Sequence, residues 1–100
     1  MTVIYKVQGR ETVSSVSSST GLTAAKLPPT VPGITYAIIQ AVDGDVRYTI
    51  DGTTPTSSLG MRLLQDEIIE VWGATALANF RAIDDGATAK LEVLYMGTGV

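Results

Sequence analysis

The chain has 100 residues, and among them there is no cysteine and no histidine. Without a thiol or an imidazole it cannot form a Ser-His or Cys-His nucleophile, and it lacks the usual ligands of zinc, copper and haem sites. Without cysteine there is also no disulfide framework. We therefore expect no cofactor and no enzymatic activity.

Basic residues are also few. Seven Lys and Arg stand against ten Asp and Glu, for a net charge of −3, and each basic residue occurs singly. Because nucleic-acid binding needs several cations on one face, nucleic acid is not an expected partner. No apolar run approaches the roughly 20 residues that span a bilayer, and the start lacks a secretory signal, so we expect no membrane partner and synthesis in the cytoplasm.

Carboxylates are the remaining candidates for acid–base or calcium chemistry. The ones considered lie beside glycines or at strand ends, where Asp is favoured for turn geometry alone: Asp43, Asp45, Asp51, Asp66, Glu67, Asp84 and Asp85. Asp43-Gly44-Asp45 lacks the Asp-x-Asp-x-Asp-Gly ladder and distal Glu of a calcium loop. We interpret these acids as turn formers and predict no metal site.

What the sequence does contain is short segments in which apolar residues recur at every second position. They predict seven or eight strands, over residues 2–8, 11–16, 36–42, 46–50, 62–64, 67–72, 80–83 and 89–96. Gly9-Arg10 is expected to turn the chain, and Asp43-Gly44-Asp45 to form a hairpin-type turn. At most one short helical turn is expected, over residues 74–79, with residues 22–27 as a weaker alternative. The fold class predicted is all-β, an antiparallel β-sandwich of jelly-roll or immunoglobulin-like type.

One domain is predicted over residues 1–100. Residues 1–20 supply edge strands or, in the alternative, an arm that adds to a neighbouring subunit's sheet. The serine-rich residues 17–21 are interpreted as a solvated edge or linker. Residues 21–33 form an irregular connection, because Pro28, Pro29 and Pro32 forbid regular structure there.

Two features are candidate binding elements. Trp72, the only tryptophan, shares one face of its strand with Ile68 and Glu70, so we expect partial exposure. Core packing is the preferred interpretation of Trp72, and a sugar platform or a protein anchor is the alternative. The second feature is the polar loop after residue 50, from which we select Asp51, Thr53, Thr54, Pro55 and Thr56.

Other side chains of the strands are assigned structural roles. Tyr48 and Tyr95 are expected to fill the core with their hydroxyl groups at its rim. Arg47 and Arg81 are expected to pair with a carboxylate such as Glu70 or Glu92 across neighbouring strands.

Two resemblances add to this interpretation. Residues 46–60, VRYTIDGTTPTSSLG, resemble the YTxDGxxPT signature of chitobiase C-terminal-like β-sandwich modules, which accompany carbohydrate-active enzymes. A longer pattern covers residues 12–96, with YAIIQAVDGDVRYTIDGTTPT, EIIEVWG and GATAKLEVLYM in order. It resembles a family of small proteins encoded among the virion structural genes of tailed phages, although the ending beyond Met96 departs from that family's pattern.

The longer resemblance implies a non-enzymatic virion protein made in the host cytoplasm. The expected role is capsid decoration or cementing by multivalent contacts of a homo-oligomer with the major capsid protein or other virion proteins. The alternatives are a head–tail or tail accessory protein, or a glycan-binding module that attaches particles to host cell surfaces. In either case Trp72 and the loop residues Asp51, Thr53, Thr54, Pro55 and Thr56 are the expected interface or glycan site.

Overall fold

A computed structural model describes residues 5–14, 16, 18–27, 33–86 and 88–98. In these residues the chain forms eight strands, arranged as two four-stranded antiparallel sheets, and one short α-helix. The two sheets enclose a shared hydrophobic core. The predicted all-β sandwich is confirmed.

The elements have the following bounds. The strands are β1 (Tyr5–Val13), β2 (Thr20–Gly21), β3 (Ile34–Val42), β4 (Val46–Thr49), β5 (Met61–Leu63), β6 (Ile68–Trp72), β7 (Arg81–Asp84) and β8 (Lys90–Thr98). The helix α1 covers Ala74–Asn79, and a 3-10 turn covers Ala24–Lys26. Both helical candidates are therefore formed, one more than the single turn expected. Sheet A has the strand order β1-β8-β3-β6, and sheet B has the order β2-β7-β4-β5.

Strand alternation places the core between the sheets. In sheet A, β3 and β8 are the central strands, and every second side chain of each points inward. The buried residues include Ile39, Leu91, Val93 and Tyr95 from sheet A, Val46, Leu63 and Ala82 from sheet B, and Leu77 and Phe80 at α1. The helix thus closes one end of the core.

Tyr95 links three parts of the chain. It is fully buried, as predicted, and its hydroxyl donates a hydrogen bond to the carboxylate of Glu11 on the edge strand β1. Glu11 also accepts hydrogen bonds from the backbone N–H of Thr23 at 3.3 Å and from its hydroxyl at 2.5 Å. The connection that follows β2 is thereby attached to sheet A.

Of the two predicted turns, one is wrong and the other is confirmed as a turn but not as a hairpin. Gly9-Arg10 does not reverse the chain: β1 continues through it, with a bulge that leaves Gln8 unpaired between Val7 opposite Met96 and Gly9 opposite Tyr95. Asp43-Gly44-Asp45 does turn, with Asp43 at a φ of 64°, but it leads from β3 in sheet A to β4 in sheet B and is not a hairpin. Local turn residues specify a change of direction without specifying which sheet the next strand joins.

The beginning of the chain belongs to both sheets. Strand β1 pairs with β8 of the same chain from Tyr5 to Val13, and Thr20–Gly21 pairs with β7. The serine-rich segment therefore ends in an edge strand of sheet B. Residues 1–4, 15 and 17 of the predicted arm, and Pro28, Pro29 and Pro32 of the predicted connection, lie outside the described residues.

Candidate interaction surface

The outer face of sheet A consists of three rungs that each cross all four strands. Cross-strand pairing aligns the rungs in the order β1, β8, β3, β6. The first is Val7–Met96–Tyr36–Trp72, the second is Arg10–Leu94–Ile38–Glu70, and the third is Thr12–Glu92–Gln40–Ile68. Side chains opposite one another on neighbouring strands share a face, so these residues form one continuous surface. We call it the rung face.

The rung face is largely apolar, and much of it is open to solvent. Val7 is 56% exposed, Ile68 59% and Trp72 50%, and Ile38, Leu94 and Met96 are partly exposed. An exposed apolar patch that is continuous, unlike scattered single residues, marks a contact surface. Around Ile38, Leu94 and Ile68 the face has a shallow depression of about 160 Å³.

Trp72 lies on this outer face and not in the core, which corrects the preferred interpretation from the sequence. Its ring stacks on Tyr36, the opposite residue on β3, with 3.9 Å between ring centroids and an angle of 11° between planes. Tyr36 is 8% exposed, and the indole covers one face of its ring. The expected partial exposure of Trp72 is confirmed, as is its shared face with Ile68 and Glu70.

Five polar side chains lie on the rung face among the apolar ones. The Arg10 guanidinium lies 2.8 Å from the Glu92 carboxylate, which also accepts a hydrogen bond from the Thr12 hydroxyl at 2.7 Å. Gln40 donates its side-chain amide to the backbone carbonyl of Asp66 at 3.1 Å. Glu70, at the opposite edge from Arg10, forms no ion pair with any described residue.

The outer face of sheet B is built differently. Arg47 and Arg62 are opposite one another on β4 and β5, and the Asp85 carboxylate lies 3.3 Å from Arg47 and 3.2 Å from Arg62. Arg62 also lies 3.2 Å from Asp45, and Arg81 donates to the Ser19 hydroxyl at 2.6 Å. Arg47 therefore pairs with a carboxylate as expected, but the named partners Glu70 and Glu92 are wrong, because those glutamates belong to sheet A. Arg81 forms no ion pair with the described residues. On sheet B, Arg47 and Arg62 are thus neutralised by carboxylates, whereas Arg81 is bound by Ser19.

The loop after β4 is held by its own polar groups. The Asp51 carboxylate accepts a hydrogen bond from the backbone N–H of Thr53 at 3.0 Å, and the Thr49 hydroxyl donates to the Thr53 carbonyl at 2.5 Å. Hydrogen bonds from Thr53 lower the pKa of Asp51 below its usual value. Thr56 and Leu59 pair by two backbone hydrogen bonds of 3.0 and 3.3 Å. Each of these bonds orders the loop itself.

The predicted loop residues differ in their availability to a ligand. Asp51, Thr53, Thr54 and Thr56 are exposed, whereas Pro55 is fully buried and cannot be a contact residue in this conformation. The loop lies between β4 and β5 of sheet B, while Trp72 lies on β6 of sheet A. The two candidate binding elements thus belong to different sheets.

Most of the carboxylates considered for acid–base or calcium chemistry are engaged in turns, ion pairs or hydrogen bonds, whereas Asp84 lies in strand β7. Asp43 lies 3.2 Å from Lys90, and Asp45 accepts a hydrogen bond from the backbone N–H of Gln65 at 2.7 Å. Asp66 occupies a turn with a φ of 70°. In the part of the chain that the structure describes, no three Asp or Glu side chains converge as a metal site would require.

The rung face was only partly foreseen from the sequence. The apolar residues on both faces of β3 indicated a central strand, which is confirmed, but the same pattern leaves Ile38 on an outer face that no other described strand or helix covers. The signal was present in LEVLYM, where Leu94 and Met96 alternate with the inward-facing Val93 and Tyr95. Val7, Leu94 and Met96 were not selected as site residues.

No protein-family model, curated protein or solved structure matches this chain. Among the described residues there is no helix with the length and apolar character needed to cross a bilayer. The surface must therefore be interpreted from its own geometry.

Proposed function

We propose that this chain is a non-enzymatic structural protein of a tailed-phage virion that decorates the capsid through protein–protein contacts. The observation that carries the proposal is the rung face, a continuous exposed apolar surface on sheet A, whereas Arg47 and Arg62 on sheet B are paired with carboxylates. Apolar and aromatic residues with few charges are typical of the centre of a protein interface. The resemblance of residues 12–96 to virion structural proteins of tailed phages supports a role in the virion.

The distribution of polar groups supports binding in preference to catalysis. The acids that could act as a pair are held by Lys90, Arg47, Arg62 or the backbone. Glu70 and Glu92 lie on the rung face, but Glu92 is bound to Arg10 and Thr12. A small sandwich with a continuous apolar surface on sheet A suits a protein that stabilises a shell by adding contacts at many copies.

The test is co-sedimentation of the purified protein with empty heads of a tailed phage that carries this gene. We expect saturable binding in a fixed ratio to capsid protein, and weaker binding when Ile68→Glu places a charge on the rung face. Met61→Glu is the matched control, because Met61 is 64% exposed and lies on β5 of sheet B. Absence of binding to heads, or equal loss in both variants, would overturn the proposal.

Glycan binding is the second candidate, and the half-exposed Trp72 favours it. An aromatic ring beside polar groups such as Glu70 is a platform on which a sugar ring can stack. Tyr36 already covers one face of the indole at 3.9 Å, so a sugar would have to use the other face. Glycan-array binding that is lost in Trp72→Ala, combined with no binding to heads, would favour this candidate over the first.

A further inference from the structure

The order of residues in the second rung is self-complementary. From β1 to β6 it runs Arg10, Leu94, Ile38, Glu70, which places a cation at one edge, two apolar residues in the centre and an anion at the other edge. The Arg10 side chain is 68% exposed although it pairs with Glu92 in the neighbouring rung, and Glu70 has no ion pair among the described residues. A surface of this order is complementary to a copy of itself turned through 180°.

We propose that the rung face binds a second copy of the chain, related by a twofold axis that runs parallel to the strands between β8 and β3. An interface around a twofold axis is isologous, which means that the same surface of both copies takes part and each contact is made twice. It places β1 over β6 of the copy and β8 over β3 of the copy while keeping the rungs aligned. Arg10 then faces Glu70 of the second copy, and Leu94 faces Ile38 of the second copy. The inference shares with the proposed function the assumption that the rung face is a protein-binding surface. It does not depend on the protein being part of a virion.

The other two rungs fit the same axis. In the first rung, Met96 faces Tyr36 of the copy and Val7 faces Trp72 of the copy, which are thioether–aromatic and aliphatic–aromatic contacts. In the third rung, Glu92 faces Gln40 of the copy, where a carboxylate meets an amide. The apolar residues of the first two rungs thus meet apolar ones, whereas Ile68 of the third rung faces Thr12 of the copy.

The charges also exclude the other face-to-face arrangement. A twofold axis perpendicular to the strands would place each strand over its own copy. Arg10 would then face Arg10, and Glu70 would face Glu70, so that like charges meet at both edges. Because like-charge contacts across an interface are costly, the axis parallel to the strands is the one selected.

The area of the rung face determines how tightly we expect the dimer to bind. Four strands about 4.8 Å apart and three rungs about 7 Å apart cover on the order of 400–500 Å² per protomer. That is below the roughly 800 Å² per partner of a standard stable interface. We therefore expect a reversible dimer with a dissociation constant on the order of micromolar.

The test uses two charge-reversed variants, Arg10→Glu and Glu70→Arg. In each variant alone, both edge contacts of the homodimer become like-charged, and we expect dimerisation to weaken at least about tenfold. When the two variants are mixed, both edge contacts of the heterodimer are again opposite in sign. Sedimentation velocity of the mixture should therefore recover a dimer close to wild-type affinity, which also shows that both variants are folded. Lys6→Glu is the matched control, because Lys6 is exposed on β1 and points to the side away from Val7.

Trp72 provides a second readout that needs no variant. As the only tryptophan and half exposed, it should shift its fluorescence to shorter wavelength as the wild-type protein is concentrated through the dimer transition. A monomer at every concentration, a dimer unaffected by both variants, or a mixture no stronger than its components would overturn the proposal. If a monomer still binds heads, the virion role stands and the dimer fails. If a dimer forms as described without binding heads, the dimer stands and the virion role fails.

Discussion

The buried phenol of Tyr95 donates its hydrogen bond to Glu11, which joins the central strand β8 to its neighbour, the edge strand β1, by side chains as well as by backbone pairing. Glu11 is also bound by Thr23, so the same carboxylate holds the segment after β2. Glu11 and Tyr95 thus link β1, β8 and the segment at Thr23 that follows β2.

We expect Tyr95→Phe to lower the free energy of unfolding by about 1–2 kcal/mol. The substitution keeps the buried ring but removes one hydrogen bond to a charged acceptor. Urea denaturation monitored by circular dichroism measures the change. Tyr48→Phe is the control, because the Tyr48 hydroxyl has no hydrogen bond with the described residues, and it should leave stability nearly unchanged. Equal losses in the two variants would contradict the role of the Glu11 contact.

Stability should also fall in alkaline solution. Burial, followed by the hydrogen bond and the charge of Glu11, raises the pKa of Tyr95 above its ordinary value of 10.0. Above that pH the unfolded chain releases the phenol proton while the folded chain retains it, so the folded state binds more protons and loses stability as pH rises. Urea midpoints measured between about pH 9 and 11 should decline more steeply in the wild type than in Tyr95→Phe. Parallel declines would show that Tyr95 is not the group responsible.

Gly97 and Gly9 should respond oppositely to alanine. A methyl group at Gly97 would come within 2.3 Å of the Gly33 carbonyl oxygen, so the backbone of β3 or β8 must move. We expect Gly97→Ala to destabilise the protein by about 1–3 kcal/mol. At Gly9, in the β1 bulge, a methyl group meets nothing within 4 Å, and its φ is not in the left-handed region. Gly9→Ala should be neutral or slightly stabilising, and thermal unfolding of both variants provides the comparison.

Asp51 should titrate below an ordinary aspartate. Its lowered pKa arises from hydrogen bonds donated by Thr53, which favour the ionised form. The contribution of this carboxylate to stability is present above the unfolded pKa and is lost as pH falls through the lower folded value. NMR titration of the side-chain carboxyl carbon should give the lowered pKa, and Thr53→Pro, which removes the N–H donor, should return it toward 3.8. An unshifted wild-type titration would refute the loop geometry.

Most strands could be predicted because their alternation is strong. The expected strand over residues 36–42 appears as β3, the one over 67–72 as β6, and the one over 89–96 as β8, each within a few residues. The α1 helix matches its predicted span of residues 74–79. These segments bury one complete face, so the pattern of apolar residues determines both the strand and its register.

The errors arise where local chemistry allows two outcomes. A glycine such as Gly9 fits a turn or a bulge, and the distinction depends on whether β8 lies beside it. The Asp43–Asp45 turn likewise depends on which sheet has a free edge for β4. The candidate site shows the same limit: sequence selected Trp72 as a binding residue but not its neighbours Ile38 and Leu94. Apolar outer-face residues look like core residues until the sheets are placed.

The pairing of β1 with β8 also determines when sheet A can form during synthesis. Among described residues, β1 has no hydrogen-bonded neighbour strand other than β8, and β8 separates it from β3. During synthesis, β1 cannot pair with β8 until the residues after position 90 have left the ribosome. Until then Leu94 is missing from between Arg10 and Ile38 in the second rung, so a nascent or truncated chain would have no rung face with which to recruit a partner.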